Sequence, residues 1–157
     1  NKEGLLWFSN EVFPALLQQH PALILNVAGS FSEEIKTLRN KKQIVLHGFV
    51  PSSKTFISKH GVFIAPILSG SGIKMKVLEA MSLGVPCVLS AHAAEGLDLP
   101  EIIPVCDNNE DFIKQVSLLL QKKDLARKVG AEGLNYIKEN YASGLVSKKI
   151  KDILTKA

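Results

Sequence analysis

A short segment rich in glycine and serine, followed by one acidic residue, has residue types that bind phosphate and hydroxyl groups. Residues 70–72 are Gly-Ser-Gly and open a predicted helix, in which Glu79 lies seven positions after Gly72. Glycines allow close approach to the backbone, and the first amides of a helix are free to bind an anion. A carboxylate accepts hydrogen bonds from hydroxyl groups. Together these groups predict a ligand such as a phosphorylated sugar or a nucleotide.

The spacing in this segment supports that interpretation and leaves a plainer one open. Seven helical residues are almost two turns, so Gly72 and Glu79 are expected on one side of the helix, about 10 Å apart. Glu79 can instead pair with Lys76, three positions before it. The Gly-Ser-Gly turn matches neither the dinucleotide fingerprint nor the phosphate loop that ends in Gly-Lys-Ser/Thr, so it can be a simple turn. His92 and Glu95, after the next predicted strand, can likewise be ordinary loop residues.

Predicted helices and strands alternate along the chain on both sides of this segment. The strands are short apolar runs, which are typical of a parallel sheet covered by helices on both faces. The predicted fold class is therefore α/β with a Rossmann-like, doubly wound parallel sheet, in which ligands bind beyond the carboxyl ends of the strands. We predict helices at 3–19, 32–39, 51–59, 72–83, 109–122, 124–139 and 142–156, a helical turn at 93–97, and strands at 22–28, 44–47, 62–65, 86–89 and 103–106.

Two prolines interrupt these patterns. Pro14 lies inside the first predicted helix and is expected to kink it or to separate its last turn. Pro104 lies inside the last predicted strand, which is therefore expected at the edge of the sheet.

Composition is that of a soluble globular protein, and we expect one domain over residues 1–157 and a cytoplasmic location. Hydrophobic residues make up 46% of the chain and charged residues 22%, and no apolar run approaches the length of a membrane span. The first residues do not resemble a signal peptide. Cys87 and Cys106 both lie in apolar surroundings, so we expect buried thiols rather than a disulfide.

The net charge of +4 is mild, and part of it comes from the last predicted helix. Its lysines fit a solvated face, an anionic membrane surface or nucleic acid. Nucleic acid is the weakest of these, because no basic run alternates with aromatic residues. The lysines of this last predicted helix are Lys148, Lys149, Lys151 and Lys156.

No cluster of residues in the sequence has the spacing of metal ligands.

The segment from residue 69 to 96 resembles the donor-binding region of retaining glycosyltransferases of the GT-B fold, in the group 1 family. That family has a Glu-x7-Glu motif, then Ala-Met-x-x-Gly-x-Pro-Val, then a loop of small residues. Residues 79–88, Glu-Ala-Met-Ser-Leu-Gly-Val-Pro-Cys-Val, match the second half of this pattern, and residues 94–97 resemble the Ala-Glu-Gly-Leu of a subset. Further similarity covers residues 4–16, 20–29 and 45–50. The resemblance implies the C-terminal half of a GT-B fold.

The resemblance also implies a role for each matching residue. It implies that Glu79 accepts hydrogen bonds from the ribose hydroxyls of a nucleotide sugar, the donor substrate, and that no cofactor or metal ion is needed. The acceptor, a glycan, lipid-linked or other molecule, would be bound by an N-terminal domain. The resemblance also implies that the backbone of Ser71, Gly72 and Ile73 contacts the sugar and that Phe49 and Val50 border the base. It implies that the backbone of Ala93 and Ala94, beside Glu95, contacts the diphosphate. The basic residues Lys74 and Lys76 match basic positions of the donor site, and a solvated lysine is the alternative for each.

Two departures from the family pattern shape the prediction. Ser71 stands where the family has its first glutamate, a feature shared by a subset with Gly-Ser-Gly-(Ile/Thr)-(Arg/Lys)-x-Lys. The residues begin at the first helix of the donor domain, so we expect the preceding strand, its phosphate loop and the acceptor domain to be missing. These 157 residues alone are then expected to show no transferase turnover, and no catalytic residue is assigned.

Two alternative functions remain open: a non-catalytic nucleotide- or phosphate-binding module and a structural interaction domain. Peripheral contact with the inner face of the membrane is a further expectation.

Overall fold

The computed structural model describes residues 2–30 and 33–141. Helices and strands alternate through these residues as the sequence predicts. The predicted helix at 142–156, with its lysines, lies outside the described residues. In chain order the elements are α1 (Lys2–Trp7), a π-helical turn (Phe8–Val12), α2 (Phe13–Gln19), β1 (Leu25–Ala28), α3 (Glu33–Lys36) with a 3-10 turn (Thr37–Asn40), β2 (Ile44–Gly48), α4 (Ser53–Ser58), β3 (Phe63–Ala65), α5 (Met75–Ser82), β4 (Cys87–Ser90), α6 (Ala91–Ala94), β5 (Val105–Cys106), α7 (Asn109–Gln121) and α8 (Lys123–Tyr141).

The described strands form two parallel sheets. β1 pairs with β2, with Leu25 opposite Ile44, and β3, β4 and β5 pair in that order, with Phe63 opposite Cys87. The α/β class with parallel strands is therefore confirmed, although the strands do not form one continuous sheet. β5 lies at the edge of its sheet, as Pro104 predicts.

Helices cover β4 on both of its faces. Cys87 and Leu89 belong to one hydrophobic core, together with residues of α5, whereas Val88 between them belongs to a second core with residues of α2 and α7. Successive side chains of a strand point to opposite faces, so the two cores lie on opposite sides of the sheet. This arrangement confirms the doubly wound class and explains why β4 is buried along its whole length.

A cleft of about 970 Å³ separates the two sheets. Its walls come from β1 on one side and from β3 and the residues after it on the other. Among the described strands, β1 pairs only with β2, and β3 only with β4. The rest of the lining is mostly apolar and includes Leu5, Phe8, Leu16, Ile57 and Val77.

Pro14 produces a π-helical turn and not a break in the first helical segment. The Phe13 amide donates to the carbonyl of Phe8, five residues earlier. The next bond of that type, to the carbonyl of Ser9, would come from residue 14, but proline has no N–H group. Lys41 supplies the missing donor, with its Nζ 2.9 Å from the Ser9 carbonyl oxygen.

Two glycines allow helices to touch the backbone around the candidate segment. A Cβ atom at Gly130 of α8 would lie 2.1 Å from the carbonyl oxygen of Gly84, just after α5. A Cβ atom at Gly4 of α1 would lie 1.5 Å from the carbonyl oxygen of Pro66, just after β3. Both contacts therefore require glycine. The contact at Pro66 fixes the start of the segment between β3 and β4, and the contact at Gly84 fixes its end.

Helix α5 begins later than the sequence predicts. Gly70 and Gly72 have φ angles of 101° and 80°, which a right-handed helix cannot contain, and the first helical residue is Met75. Gly72 is therefore in the loop, and the prediction that it shares a helix face with Glu79 is wrong. The helical turn predicted at 93–97 also lies earlier, as α6.

Both cysteines are free and buried, as predicted. Burial raises the pKa of the Cys87 thiol to about 12. Burial, with the nearby carboxylates of Asp111 and Asp107, raises the pKa of Cys106 to about 12. Both thiols therefore act as small apolar groups in the core.

Candidate functional site

Glu79 is held at both of its carboxylate oxygens. Ser53 Oγ donates to Oε1 at 2.5 Å, and Lys76 Nζ donates to Oε2 at 2.8 Å. Only 19% of the side chain is exposed. The Lys76 hydrogen bond, followed by that of Ser53, lowers the pKa of Glu79 below its usual value. The carboxylate is therefore ionised and fixed in orientation at neutral pH, and the pairing with Lys76 that spacing left open is present.

Helix α4 brings Ser53 to Glu79. Ser52 caps this helix, because its hydroxyl accepts a hydrogen bond from the Thr55 amide at 3.2 Å. Ser53 is the first residue of α4, which packs against α5. Sequence reasoning used Ser53 only as part of a helix start. No local signal marks it, because the contact joins residues 26 positions apart on different helices.

Phe49 and Val50 border the same cleft as Ser53 and Lys76. They follow β2, at its carboxyl end, where the turn at Gly48 has a φ angle of 70°. Phe49 is 88% exposed, so its ring is available to stack on a planar ligand. The residues predicted to border the base and the groups that hold Glu79 are therefore brought to one cleft.

The loop at residues 70–74 closes around the ammonium group of Lys74. Nζ donates to the carbonyl oxygens of Gly70 at 2.8 Å and of Gly72 at 2.6 Å. Only 13% of this side chain is exposed, so the solvated-lysine alternative is wrong for Lys74. Lys76 differs, with 67% of its side chain exposed beside Glu79.

Ser90 joins the loop after β3 to helix α6, and sequence reasoning did not single it out. Its hydroxyl is buried, accepts hydrogen bonds from the amides of Ile67 at 3.1 Å and Ala93 at 3.2 Å, and lies 2.5 Å from the Ile67 carbonyl oxygen. The Ala93 amide, predicted to be near a diphosphate, is thus already bonded within the protein. Ser90 also caps α6, which is the one local signal that could have identified it.

The loop at residues 70–74 meets the segment after α6. A Cβ atom at Gly96, where φ is 77°, would lie 3.5 Å from Cγ1 of Ile73. Glu95 Oε2 lies 3.8 Å from Lys74 Nζ. Ser71, Gly72 and Ile73 are exposed, whereas Ala93 is buried and Ala94 is half-buried. The predicted sugar-side and phosphate-side segments are therefore neighbours, although they do not line the cleft that Phe49 borders.

The described residues contain neither a metal-binding cluster nor a membrane-spanning helix. Across residues 2–30 and 33–141, no three His, Cys, Asp or Glu side chains come together as a metal ion would require. No helix in this part of the chain is both long and apolar enough to cross a bilayer. That donor binding needs no metal ion stays a prediction.

Comparison with known proteins identifies the family. The profile described as "Glycosyl transferases group 1" matches residues 1–122, so the chain belongs to the group 1 glycosyltransferases. A Klebsiella pneumoniae protein, named "Uncharacterized 44.6 kDa protein in cps region", is 24% identical over 161 residues. That match covers 96% of this chain and 42% of the relative, so the chain spans less than half the length of the curated relative.

Solved structures of glycosyltransferases share the fold and confirm that it is of the GT-B type. The chain matches HepE from Anabaena in complex with UDP with a TM-score of 0.80 at 10% identity, over 93% of this chain and 44% of that one. It matches S. aureus TarM in complex with UDP and other ligands at 0.77 and 16% identity, over 94% and 31%. It matches the C-terminal domain of LpcC, a group 1 family protein from Francisella tularensis, at 0.76 and 15% identity, over 90% and 81%.

Proposed function

We propose that this chain is the donor-binding part of a longer group 1 glycosyltransferase and that it binds a nucleotide sugar beside Glu79. The observation that carries the proposal is the ionised, oriented carboxylate of Glu79, whose partners Ser53 and Lys76 line the cleft that the exposed ring of Phe49 borders. Family membership supports transfer of a sugar. The structures of TarM and HepE with UDP support a nucleotide as part of the donor.

Glu79 suits the ribose for a chemical reason. Its two oxygens already accept hydrogen bonds from a hydroxyl group, that of Ser53, and from an ammonium group, that of Lys76. The two neighbouring hydroxyls of a ribose are donors of the same kind, and hydrogen bonds to a charged acceptor are about twice as strong as neutral ones. On binding, the ribose hydroxyls would replace the Ser53 hydroxyl or the Lys76 ammonium group as hydrogen-bond donors to the Glu79 carboxylate, which is already oriented.

The cleft between the sheets supports the proposal that the donor domain is completed by a strand outside these residues. β1 and β3 flank the cleft, and all described strand pairs are parallel. A parallel strand between them would join the two sheets and cover the apolar lining. With that strand, its phosphate loop and an acceptor domain supplied elsewhere, the 157 residues would bind a donor but not transfer its sugar.

The compartment and the acceptor are part of the same proposal. Two buried free thiols fit a reducing compartment such as the cytoplasm. The acceptor is a glycan, a lipid-linked precursor or a related molecule, as the family resemblance implies.

Nucleotide binding by the full-length protein tests the proposal. Thermal unfolding is measured with uridine, guanosine and adenosine diphosphates, and one of them is expected to stabilise the protein by about 2.7 kcal/mol at a hundredfold excess over its Kd. Glu79→Gln should weaken that nucleotide by about tenfold to a hundredfold. Glu101→Gln, at an exposed turn, is the control and should leave affinity unchanged. Absence of stabilisation by every nucleotide and nucleotide sugar would contradict the proposal and favour a structural interaction domain.

A non-catalytic nucleotide-binding module is the second candidate. It is favoured by Ser71, which stands where the family has an acidic residue and has no carboxylate to offer a sugar. Turnover distinguishes the two: a full-length protein that binds a nucleotide sugar but neither transfers nor hydrolyses it would support the second candidate.

A further inference from the structure

The ammonium group of Lys74 lies inside the loop that precedes its helix. It donates to the carbonyl oxygens of Gly70 and Gly72 at 2.8 and 2.6 Å, and Glu95 Oε2 lies 3.8 Å away. Only 13% of the Lys74 side chain is exposed, so its positive charge faces the backbone carbonyls of this loop and not the solvent. Its neighbour Met75 begins α5, so the same residue connects the loop to the helix that bears Glu79.

The two carbonyl contacts determine where the next two amides point. No cis peptide bond occurs in the described chain, so the bonds from Gly70 to Ser71 and from Gly72 to Ile73 are trans. In a trans peptide the C=O and N–H bonds point in opposite directions. Because both carbonyls point toward Lys74 Nζ, the amides of Ser71 and Ile73 both point away from it.

These two amides are open to a ligand. Ser71, Gly72 and Ile73 are exposed, and neither the Ser71 nor the Ile73 amide donates a hydrogen bond to another residue of the described part. A cation at the carbonyl end of a peptide group strengthens the donor at its N–H end, since hydrogen bonds in a chain polarise one another. The loop therefore presents two aligned N–H donors whose strength and direction depend on Lys74.

We propose that Lys74 is a positioning residue: by holding the Gly70 and Gly72 carbonyls, it directs the Ser71 and Ile73 amides at acceptor oxygens of the donor substrate. This inference rests on the proposed function and deepens it. The family resemblance implies that one of the two basic residues, Lys74 or Lys76, faces the donor itself, whereas the geometry at Lys74 assigns that contact to the amides. The acceptor oxygens belong to the phosphates or to the sugar of the nucleotide sugar, and both are acceptors of the same kind.

The ligand-free protein tests the first half of this inference. In a ¹⁵N–¹H spectrum, Lys74→Met should shift or broaden the amide resonances of residues 70–73. Lys74→Arg, which keeps the charge and several donors, should retain them. Lys114→Met, at an exposed lysine of α7, is the control and should leave the loop unchanged. Unchanged loop resonances in Lys74→Met would overturn the inference, whether or not a nucleotide binds.

Ligand affinity tests the second half. Lys74→Met in the full-length protein should weaken nucleotide-sugar binding by about tenfold, and Lys74→Arg should recover most of that loss. A loss shared by the nucleoside diphosphate assigns the amides to phosphate oxygens, and a loss confined to the nucleotide sugar assigns them to the sugar. In a structure of the complex, Lys74 Nζ should stay on both carbonyls. Transfer of Nζ to the ligand, or wild-type affinity in Lys74→Met, would overturn the inference, whereas a wild-type protein that binds no nucleotide would contradict the proposed function instead.

Discussion

The hydroxyl group of Ser53 lies 2.5 Å from Oε1 of Glu79 and donates a hydrogen bond to it. The two residues come from helices α4 and α5, and Ser53 lines the cleft between the sheets. It gives the most informative carboxylate of the chain a single orientation before any ligand arrives.

Removing the Ser53 hydroxyl should change the ionisation of Glu79. This hydrogen bond favours the charged carboxylate, so Ser53→Ala is expected to raise the pKa of Glu79 toward its usual value and to weaken nucleotide binding about threefold to tenfold. An NMR titration of the Glu79 carboxyl group measures the first effect. Ser58→Ala, at the other end of α4, should change neither quantity, since its hydroxyl bonds the Lys54 carbonyl. An unaltered Glu79 pKa in Ser53→Ala would show that the contact does not hold in solution.

The lowered pKa of Glu79 should make stability depend on pH in the acid range. The unfolded chain binds this proton at a higher pH than the folded protein does, because Lys76 and Ser53 favour the folded carboxylate. The stabilisation is therefore complete above the usual pKa of 4.5 and is lost as pH falls through the lower folded value. Urea unfolding between pH 7 and pH 3 measures it, and Glu79→Gln should show a weaker dependence. Equal slopes in the two proteins would contradict the prediction.

Loss of the Ser90 hydroxyl should destabilise the fold more than loss of an exposed helix cap. Ser90→Ala leaves the buried Ala93 amide and Ile67 carbonyl without this partner, at a cost of about 2–4 kcal/mol. Ser52→Ala removes the corresponding cap from α4 at an exposed position and should cost about 1 kcal/mol. The free energies of unfolding in urea give both values. A Ser90→Ala cost no larger than that of Ser52→Ala would mean that Ser90 acts only as a cap.

Adding one methyl group where α8 crosses the end of α5 should be strongly destabilising. The new Cβ of Gly130→Ala would lie 2.1 Å from the Gly84 carbonyl oxygen, and relieving that overlap should cost about 3 kcal/mol. Alanine is otherwise the better helix former, by about 1 kcal/mol, so any net loss comes from the contact. Gly61→Ala, with no atom within 4 Å of the new Cβ, is the control and should change stability little. A Gly130→Ala protein as stable as the wild type would show that α8 does not pack this closely.

Local pattern was enough to predict most of the element order. Helix α7 was predicted at 109–122 and is observed at Asn109–Gln121, because a cap at Asn108 and the apolar periodicity both act within a few residues. Helix α5 starts three residues later than the apolar pattern predicts, because the positive φ angles of Gly70 and Gly72 depend on the loop that Lys74 holds. Of the two partners of Glu79, spacing along the helix indicated Lys76, three residues away, but not Ser53, which lies on another helix.

The amino-acid sequence was enough to assign the fold class and the family resemblance and to indicate Glu79 as the residue of greatest interest, because apolar runs, glycines and motif spacing are properties of neighbouring residues. What surrounds Glu79 depends instead on how distant segments pack together. The Ser53 contact, the Ser90 hydrogen bonds between β3 and α6, and the division into two sheets all join segments far apart in the chain. Even Lys74, close to its partners in sequence, could be assigned only once the loop was folded, because the direction of a carbonyl group follows from backbone angles that residue identity does not specify.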